Sequence, residues 1–567
     1  MKNTDKTGCV LLTDILHHHG VKKAVLCPGT RDLPLIMAFN RHDGISCLSV
    51  IDERAAAFVA LGISEITRDP VALVCTSGTA VLDFSPAVAE AYYKNIPLIV
   101  ISADRASMWI DQEDSQTTRQ FRILDNFVKK SYDLKAEIED PNEAWYFSRN
   151  ANEAAIKATE GPMGPVHINI HISMPVNEEE NRDILPQPFF VENFTIEKTF
   201  SREKGKELAC KILNTPRVII ACGSMQPDAR MNRDLNRISS LENVLVISEG
   251  LSNLHLKECV SSIDTFLAYL GREGREQLFP DLLITFGGPF VSQFLKDWLR
   301  NAPKSMTHWH ISENSDVVDT FQHLSCKFNM TPSAFFSDLL KYMRKKDTPI
   351  GWDYKRSFLD KQSMQFGKQR KYLDETGWSD LTSLNAVIDK LPDNVNLQVS
   401  NGMAVRYLLA LPQNQKFHRL DCNRGVSGID GCISTSIGAS TAYKGITVMI
   451  TGDMSAQYDM ASFSIAKELT RNFKLVVLAN GGGNIFKFIK STRDSAETEK
   501  FLYHPMICEL GELAKSQGWK VFEATNFEEL DSAVSKWIAK REEPSMLILK
   551  TDAETNGTVF SEYLSLK

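Results

Sequence analysis

Short apolar runs, each closed by polar or glycine-rich residues, recur along most of the chain. Val71-Ala72-Leu73-Val74-Cys75 stops at Thr76-Ser77-Gly78-Thr79, and Ile446-Thr447-Val448-Met449-Ile450 leads into Gly452-Asp453-Met454-Ser455. Leu475-Val476-Val477-Leu478 leads into Asn480-Gly481-Gly482-Gly483-Asn484-Ile485-Phe486. Runs this short and uniformly apolar read as strands buried on both faces, as in parallel sheets. Between the last two, Met460, Phe463, Ala466 and Leu469 return at helical spacing and predict a helical segment. Such alternation predicts an α/β protein of doubly wound domains with mainly parallel sheets.

At 567 residues the chain is too long for one core, and the pattern divides it into three units. Residues 1–185 form the first. Its strands are expected at Lys23–Cys27, Cys47–Val50, Val71–Cys75 and Pro97–Ser102, with Gly164–Ile170 closing the sheet. Helices are expected to end at Gly20, to begin at Leu33 and to follow Arg54. His167 inside the last strand reads as a core histidine, and His17-His18-His19 as a partly exposed helix end. Residues 196–345 form the central unit, with strand-then-glycine signals at Arg217–Gly223 and Asp281–Gly288. Neither completes G-x-G-x-x-G, so a dinucleotide site is not supported. Residues 379–567 form the third. Linkers are expected at 183–195, with Pro186 and Pro188, and at 345–378, which also carries a helix. The first and third units are similar in size and style but show no residue-level repeat.

Composition narrows the partners. The net charge of −7 speaks against nucleic acid or an anionic membrane surface. The 11 cysteines are odd in number and form no C-x-x-C pair, which argues for reduced thiols in a cytoplasmic protein. No segment is long and apolar enough to span a bilayer, and the N-terminus lacks a signal-peptide core.

In open α/β sheets ligands collect at the carboxyl ends of the strands. Asp453 and Asn480, 27 positions apart, stand at two such ends beside the glycine turn. A carboxylate and an amide oxygen are hard ligands suited to Mg²⁺ on a diphosphate, and the glycines allow close backbone approach. Taken singly, an Asp after a strand is most often a helix cap and Gly-Gly-Gly a turn. Glu53, after the second expected strand, is on its own an ordinary helix-start charge.

Together these signals resemble the thiamine diphosphate (ThDP) enzymes. The residues that carry the likeness further are Cys27-Pro28-Gly29-Thr30-Arg31, Asp52-Glu53-Arg54, Thr76-Ser77-Gly78-Thr79-Ala80 and Ala103-Asp104-Arg105. With them go Asn423-Arg424-Gly425, Ser427-Gly428-Ile429-Asp430-Gly431, Gly452-Asp453 and Gly482-Gly483-Asn484-Ile485-Phe486. Over nearly the whole chain the pattern resembles the 2-succinyl-5-enolpyruvyl-6-hydroxy-3-cyclohexene-1-carboxylate synthase (MenD) family of menaquinone biosynthesis.

That resemblance implies a ThDP-binding fold of three α/β domains, with Mg²⁺ or Mn²⁺. The implied reaction is decarboxylation of 2-oxoglutarate and 1,4-addition of the succinyl carbanion equivalent to isochorismate. Carried over by position, Glu53 hydrogen-bonds N1′ of the aminopyrimidine and activates the cofactor. Thr79, Ile429, Gly452, Asp453, Met454, Ser455, Asn480 and Gly483 hold the cofactor, and Asp453, Asn480 and the Gly482 carbonyl hold the metal. Arg406 and Arg424 hold the oxoglutarate-derived carboxylate, as bidentate arginines suit anionic substrates. Thr30, Arg31, Arg105 and Gln116 face the acceptor, and Gln116 joins Glu53, Arg406 and Arg424 as a catalytic residue. Ile485, Phe486 and Ile489 line the pocket. Because Glu53 and Asp453 lie on different units, the resemblance also implies sites shared between two chains, in a homodimer or homotetramer.

The acceptor half departs from the family pattern. Gln293 and Phe294 stand where the family has a Lys-Arg pair, and Lys296, one helical turn on, reads as a surface lysine. Gly402 and Thr30 replace serines, Asp32 is an unusual acid after Arg31, and Thr117–Phe121 lacks the usual Pro-Gly. One alternative is therefore a paralogue that delivers the same donor to a different acceptor. Another, of a different class, is a catalytically inactive ThDP-fold binding protein. A flavin-containing acetolactate-synthase-like enzyme is disfavoured by the lack of a flavin signal.

Overall fold

The computed structural model describes all residues except 1, 175–178, 182–185, 344–352, 413–416, 418, 471, 489, 541 and 567. Three parallel sheets follow one another along the chain. The first is ordered Ser46–Ser49, Lys23–Leu26, Val71–Cys75, Leu98–Asp104, Val166–His171, Ser131–Lys135. The central one is ordered Val244–Ser248, Val218–Cys222, Leu282–Phe286, Thr307–Ile311, Leu324–Phe328. The third runs Arg419–Asp421, Asn396–Val399, Thr447–Gly452, Phe473–Ala479, Ser545–Lys550, Lys520–Ala524. Counted within each unit, the first and third sheets share the strand order 2-1-3-4-6-5. In both, the order reverses between the first and third strands, which opens a crevice at their carboxyl ends.

The strands form where the apolar runs are: Val71–Cys75, Val218–Cys222 and Leu282–Phe286 are buried at every position. Two expectations change. Val166–His171 does not close the first sheet, because Ser131–Lys135 pairs along its outer side. The helical segment after Gly452 is two helices, Asp453–Tyr458 and Ser462–Leu469, broken at Asp459. The Asp459 carboxylate is turned inward to accept the Ser434 N–H and hydroxyl, each at 2.8 Å, which leaves Met460 exposed in the break. His167 is a core histidine, buried, with Nε2 2.8 Å from the Ser102 hydroxyl and Nδ1 without a partner among the described residues. The described part of the second linker is the helix Asp353–Glu375.

First and third units pack on each other within the chain. The Ala-rich helix Glu53–Thr67 lies on Cys432–Ala442 in one continuous apolar core. Small residues permit this. A Cβ on Gly62 would fall 1.9 Å from the Thr435 carbonyl oxygen, and one on Gly438 2.0 Å from that of Val59. The contact fixes how the carboxyl-end crevices of the two sheets are held relative to each other. No described helix is long and apolar enough to cross a membrane.

Candidate active site

The third sheet places Asp453 at the first turn of a helix, directly beyond the strand Thr447–Gly452. Asp453 is buried, accepts Met454 N–H at 2.7 Å on one oxygen, and accepts Gly481 and Gly482 N–H at 2.9 and 3.0 Å on the other. Burial nevertheless pushes its pKa up to about 6, and no cation pairs with it among the described residues. A bound cation would supply the missing counter-charge.

Asn480, at the end of the neighbouring strand, donates its amide nitrogen to Asp380 at 2.7 Å. Its amide oxygen is thereby turned toward the glycine turn, where the Asn484 side-chain nitrogen reaches it at 2.7 Å and the Gly482 carbonyl at 3.4 Å. Asn480 Oδ1 and the Gly482 oxygen thus face one common donor. The turn depends on glycine: Gly481 and Gly482 have φ of 89° and 145°, and a Cβ on Gly482 would lie 2.3 Å from the His504 carbonyl oxygen. One carboxylate, one amide oxygen and one carbonyl form the hard-oxygen set that Mg²⁺ favours, so these residues fit the metal and the diphosphate it would carry. Gly483 gives its N–H to His504, and the Ser455 hydroxyl is held by the Ile429 carbonyl at 2.7 Å. Met454 and Gly452 are half-buried beside them, and Ile485 and Phe486 open the short helix after the turn. Ile489 lies outside the described residues.

Arg406 and Arg424 come together at the same edge. Arg406 donates to the Gly402 carbonyl at 2.6 Å, and Arg424 to Asn401 Oδ1 at 2.9 Å. Arg424 Nε is buried with no partner. Burial lowers the Arg406 pKa, and the nearby Arg424 charge lowers it further. Neither guanidinium is ion-paired to a carboxylate among the described residues. A Cβ on Gly402 would meet nothing within 4 Å, so open space adjoins the pair.

The central unit adds a charge the sequence reading set aside. Lys296 is half-buried rather than a free surface lysine; burial lowers its pKa, and the Arg424 charge is the next largest influence. Glu249 and Asp264 stand nearby. Both Glu249 oxygens are taken by Val291 and Ser292 N–H, at 2.8 and 2.7 Å, and Asp264 by the Ser292 hydroxyl. Gln293 turns to Asp297 at 2.8 Å, and Phe294 lies under Arg275.

At the edge of the first sheet, Glu53 opens its helix with Asp52 as the cap. Burial raises the Glu53 pKa, and Asp83 and Asp52 push the same way. Glu53 is half-buried in a single chain, and it stands among several acids rather than few. Asp32, beside it, is fully buried with both oxygens unpartnered. Arg31 is tied to the Ile172 and Ser173 carbonyls at 2.8 and 3.1 Å, and Arg105 to Asp114 at 2.7 Å. Thr30, Thr79 and Gln116 are exposed there, with Gln116 in the left-handed region against Gly78. No hydrogen bond or ion pair among the described residues joins this set to the Asp453–Arg424 set.

Sequence reasoning missed Asp380, which aims Asn480 from 100 residues away, and Asn401, which holds Arg424. Asn401 had a usable signal, its place just beyond the strand Asn396–Val399; Asp380 has none, since nothing in the sequence ties the start of its helix to a strand end 100 residues on.

Residues 6–123 match the family described as "Thiamine pyrophosphate enzyme, N-terminal TPP binding domain", and residues 400–549 its C-terminal counterpart. A relative from Porphyromonas gingivalis named "2-succinyl-5-enolpyruvyl-6-hydroxy-3-cyclohexene-1-carboxylate synthase" is 33% identical over 573 residues, spanning 99% of this chain and 97% of its own. Relatives of the same name from Cytophaga hutchinsonii and Christiangramia forsetii are 32% and 33% identical, over 97% and 96% of both chains respectively. Glu53 and the Asp453–Asn480 turn fall within the two matched segments, and the relatives run nearly end to end with this chain. It therefore belongs to the 2-succinyl-5-enolpyruvyl-6-hydroxy-3-cyclohexene-1-carboxylate synthase (MenD) family of thiamine diphosphate-dependent, C–C bond-forming transferases.

Proposed function

We propose that this enzyme decarboxylates 2-oxoglutarate and adds the resulting succinyl unit, by 1,4-addition, to isochorismate. The observation that carries the reading is the Arg406–Arg424 pair, two guanidiniums with no ion-paired carboxylate among the described residues, the neighbouring Glu249 and Asp264 being taken up by Val291 and Ser292. Such a pair is unfavourable unless an anion joins it, and a substrate carboxylate is the anion the family name suggests. Asp453, Asn480 and the Gly482 carbonyl would hold Mg²⁺ with the cofactor diphosphate, and Ile429 would support the cofactor. Bound there, the cofactor supplies the electron sink that lets a 2-oxo acid lose CO₂. Glu53 holds and moves a proton at the aminopyrimidine N1′, a task suited by its raised pKa. Thr30, Arg31, Arg105 and Gln116 face the acceptor.

We further read the enzyme as a homodimer at least, with the first unit of one protomer facing the third unit of its partner. Ile51, 77% exposed next to Glu53, together with Trp109, Val426, Ile429 and Met460, leaves apolar surface at these edges for a second copy to cover. Incubating the protein with ThDP, Mg²⁺, 2-oxoglutarate and isochorismate is expected to yield a product of the summed mass less CO₂. No CO₂ release and no product would overturn the reading, and full activity of a sedimenting monomer would overturn the shared site.

A second reading keeps the donor and changes the acceptor. Gln293 and Phe294, engaged with Asp297 and Arg275, offer no cation to a dicarboxylate acceptor. Comparing isochorismate with neutral and aldehyde acceptors decides: a strong preference for isochorismate removes this reading.

A further inference from the structure

Glu90 is used by none of the chemistry above. It lies on the helix Ser85–Lys94 of the first unit and is 1% exposed. Its carboxylate crosses to the third unit. One oxygen accepts Gly425 N–H and the other Val426 N–H, both at 2.7 Å. One helical turn on, Lys94 donates to the Cys422 carbonyl at 3.0 Å. Two charged side chains of one helix therefore grip the backbone on either side of Arg424.

That backbone has little to hold it otherwise. It is neither helix nor strand from Cys422 to Gly428, and Ser427 sits at φ 66°. Asn401 is a second anchor: its amide nitrogen donates to the Asn423 and Gly428 carbonyls at 2.5 and 2.6 Å, and its oxygen receives Arg424, while the Asn423 side chain reaches the Thr435 hydroxyl at 3.1 Å. The packing at Glu90 is close: a Cβ on Gly425 would lie 2.7 Å from the Glu90 carbonyl oxygen. A carboxylate taken fully out of water is tolerated when charge-assisted hydrogen bonds use both oxygens, as here. Lys94, which pairs with Glu65, adds positive charge nearby.

We propose that Glu90 is a positioning residue that sets the reach of Arg424, and through it the preference for dicarboxylic over monocarboxylic 2-oxo acids. The proposal rests on the reading that Arg424 receives the distal carboxylate of the donor. Glu90 touches neither the Asp453–Asn480 turn nor Glu53, and Ile429 has its own tie to the Ser455 hydroxyl, so the loss of Glu90 bears first on the Arg424 guanidinium and not on the diphosphate turn. A misplacement of about 1 Å at a substrate-holding group is enough to cost on the order of 100-fold.

The test uses the full chain with ThDP and Mg²⁺ bound. CO₂ release, with an artificial oxidant, gives kcat/KM for 2-oxoglutarate and for pyruvate in the parent, Glu90→Ala, Glu90→Gln and Arg424→Met. Glu90→Ala is expected to lower kcat/KM for 2-oxoglutarate about 10- to 100-fold, mainly through KM, and to leave pyruvate unchanged. Glu90→Gln, which keeps one acceptor oxygen, is expected to fall between and stands in if the alanine variant does not fold. Thermal melts give a second readout: ThDP should still raise the melting temperature of both variants, whereas glutarate should stabilise the parent most and Glu90→Ala least. An unchanged substrate ratio in the Glu90 variants, with Arg424→Met collapsing it, overturns the proposal alone. Equal loss on both substrates with weakened ThDP binding also overturns it, in favour of a purely structural role. If Arg424→Met itself leaves the ratio unchanged, the assignment of Arg424 falls and takes this proposal with it.

Discussion

Asp380 accepts the amide nitrogen of Asn480 at 2.7 Å and so decides which way the Asn480 oxygen points. Asp380 is itself fixed: its other oxygen accepts the Thr551 hydroxyl at 2.6 Å, and its N–H goes to Asn556 at 2.7 Å. An amide beside a metal can present oxygen or nitrogen with nearly the same shape, so the partner behind it chooses. Asp380→Asn places a second amide against the first and favours flipping Asn480. Affinity for Mg²⁺ in the presence of ThDP is expected to fall about 10- to 100-fold, as for other residues supporting a ligand from behind. Calorimetric titration of metal into the ThDP-saturated protein measures it. Unchanged affinity would mean that Asn480 does not ligate through its side-chain oxygen.

Glu53→Gln tests the proton-handling role with almost no change in volume. A glutamine can donate a hydrogen bond but cannot exchange a proton at neutral pH. CO₂ release from 2-oxoglutarate is expected to drop about 10²- to 10⁴-fold, the usual weight of a general acid–base group. ThDP affinity should stay within a few-fold, since the Asp453–Asn480 turn is untouched. Turnover equal to the parent's would remove Glu53 from the mechanism.

The contact between the first and third units makes a stability prediction. Gly62→Ala drives a methyl group to within 1.9 Å of the Thr435 carbonyl oxygen, so two helices must separate. Overpacking of this kind costs about 1–3 kcal/mol and more where backbone must move, so a loss of about 3 kcal/mol or more is expected in urea unfolding. Gly367 is the counterpart. It lies within the helix Asp353–Glu375 with nothing within 4 Å of an added Cβ. Gly367→Ala should stabilise by about 0.5–1 kcal/mol through helix propensity alone. If both substitutions behave alike, the close approach of the two helices is wrong.

How much of this was legible follows from what each element must satisfy. Val71–Cys75 could be read because a strand covered on both faces needs unbroken apolar residues. Ser131–Lys135 could not, because an edge strand of Ser-Tyr-Asp-Leu-Lys alternates buried and exposed positions and looks like loop sequence. Arg419–Asp421 was hidden for another reason: two of its three residues are charged, and they are buried by pairing with each other. The shared strand order of the first and third sheets left no trace in residues, since many apolar sequences satisfy the same buried strand. Asp453, Asn480 and the arginines were legible as residue types at strand ends. Their supports, Asp380 and Glu90, were not, because they act from distant segments and only the fold brings them near.

Asp32 carries a pH prediction whose sign follows from its burial. The side chain is 0% exposed, neither oxygen finds a partner beyond the residue's own backbone N–H, and the Glu53 charge is close. Burial first, and then Glu53, raise its pKa from 3.8 to about 7. In the unfolded chain it titrates near the ordinary value, so between these limits the native state holds a proton the unfolded chain has lost. Stability from this group is therefore fully present at the acid end and is lost as pH rises through about 7. At 1.36 kcal/mol per unit the shift has an upper bound of about 4 kcal/mol. Asp32→Asn keeps the shape and removes the titration. Unfolding free energies of parent and variant, measured in urea from pH 4.5 to 8, should diverge steadily in favour of the variant by about 2–4 kcal/mol. A constant offset across that range would show that Asp32 is ionised throughout, with a counter-charge supplied in solution. A divergence that vanishes in Glu53→Gln would assign the shift to the neighbouring charge rather than to burial.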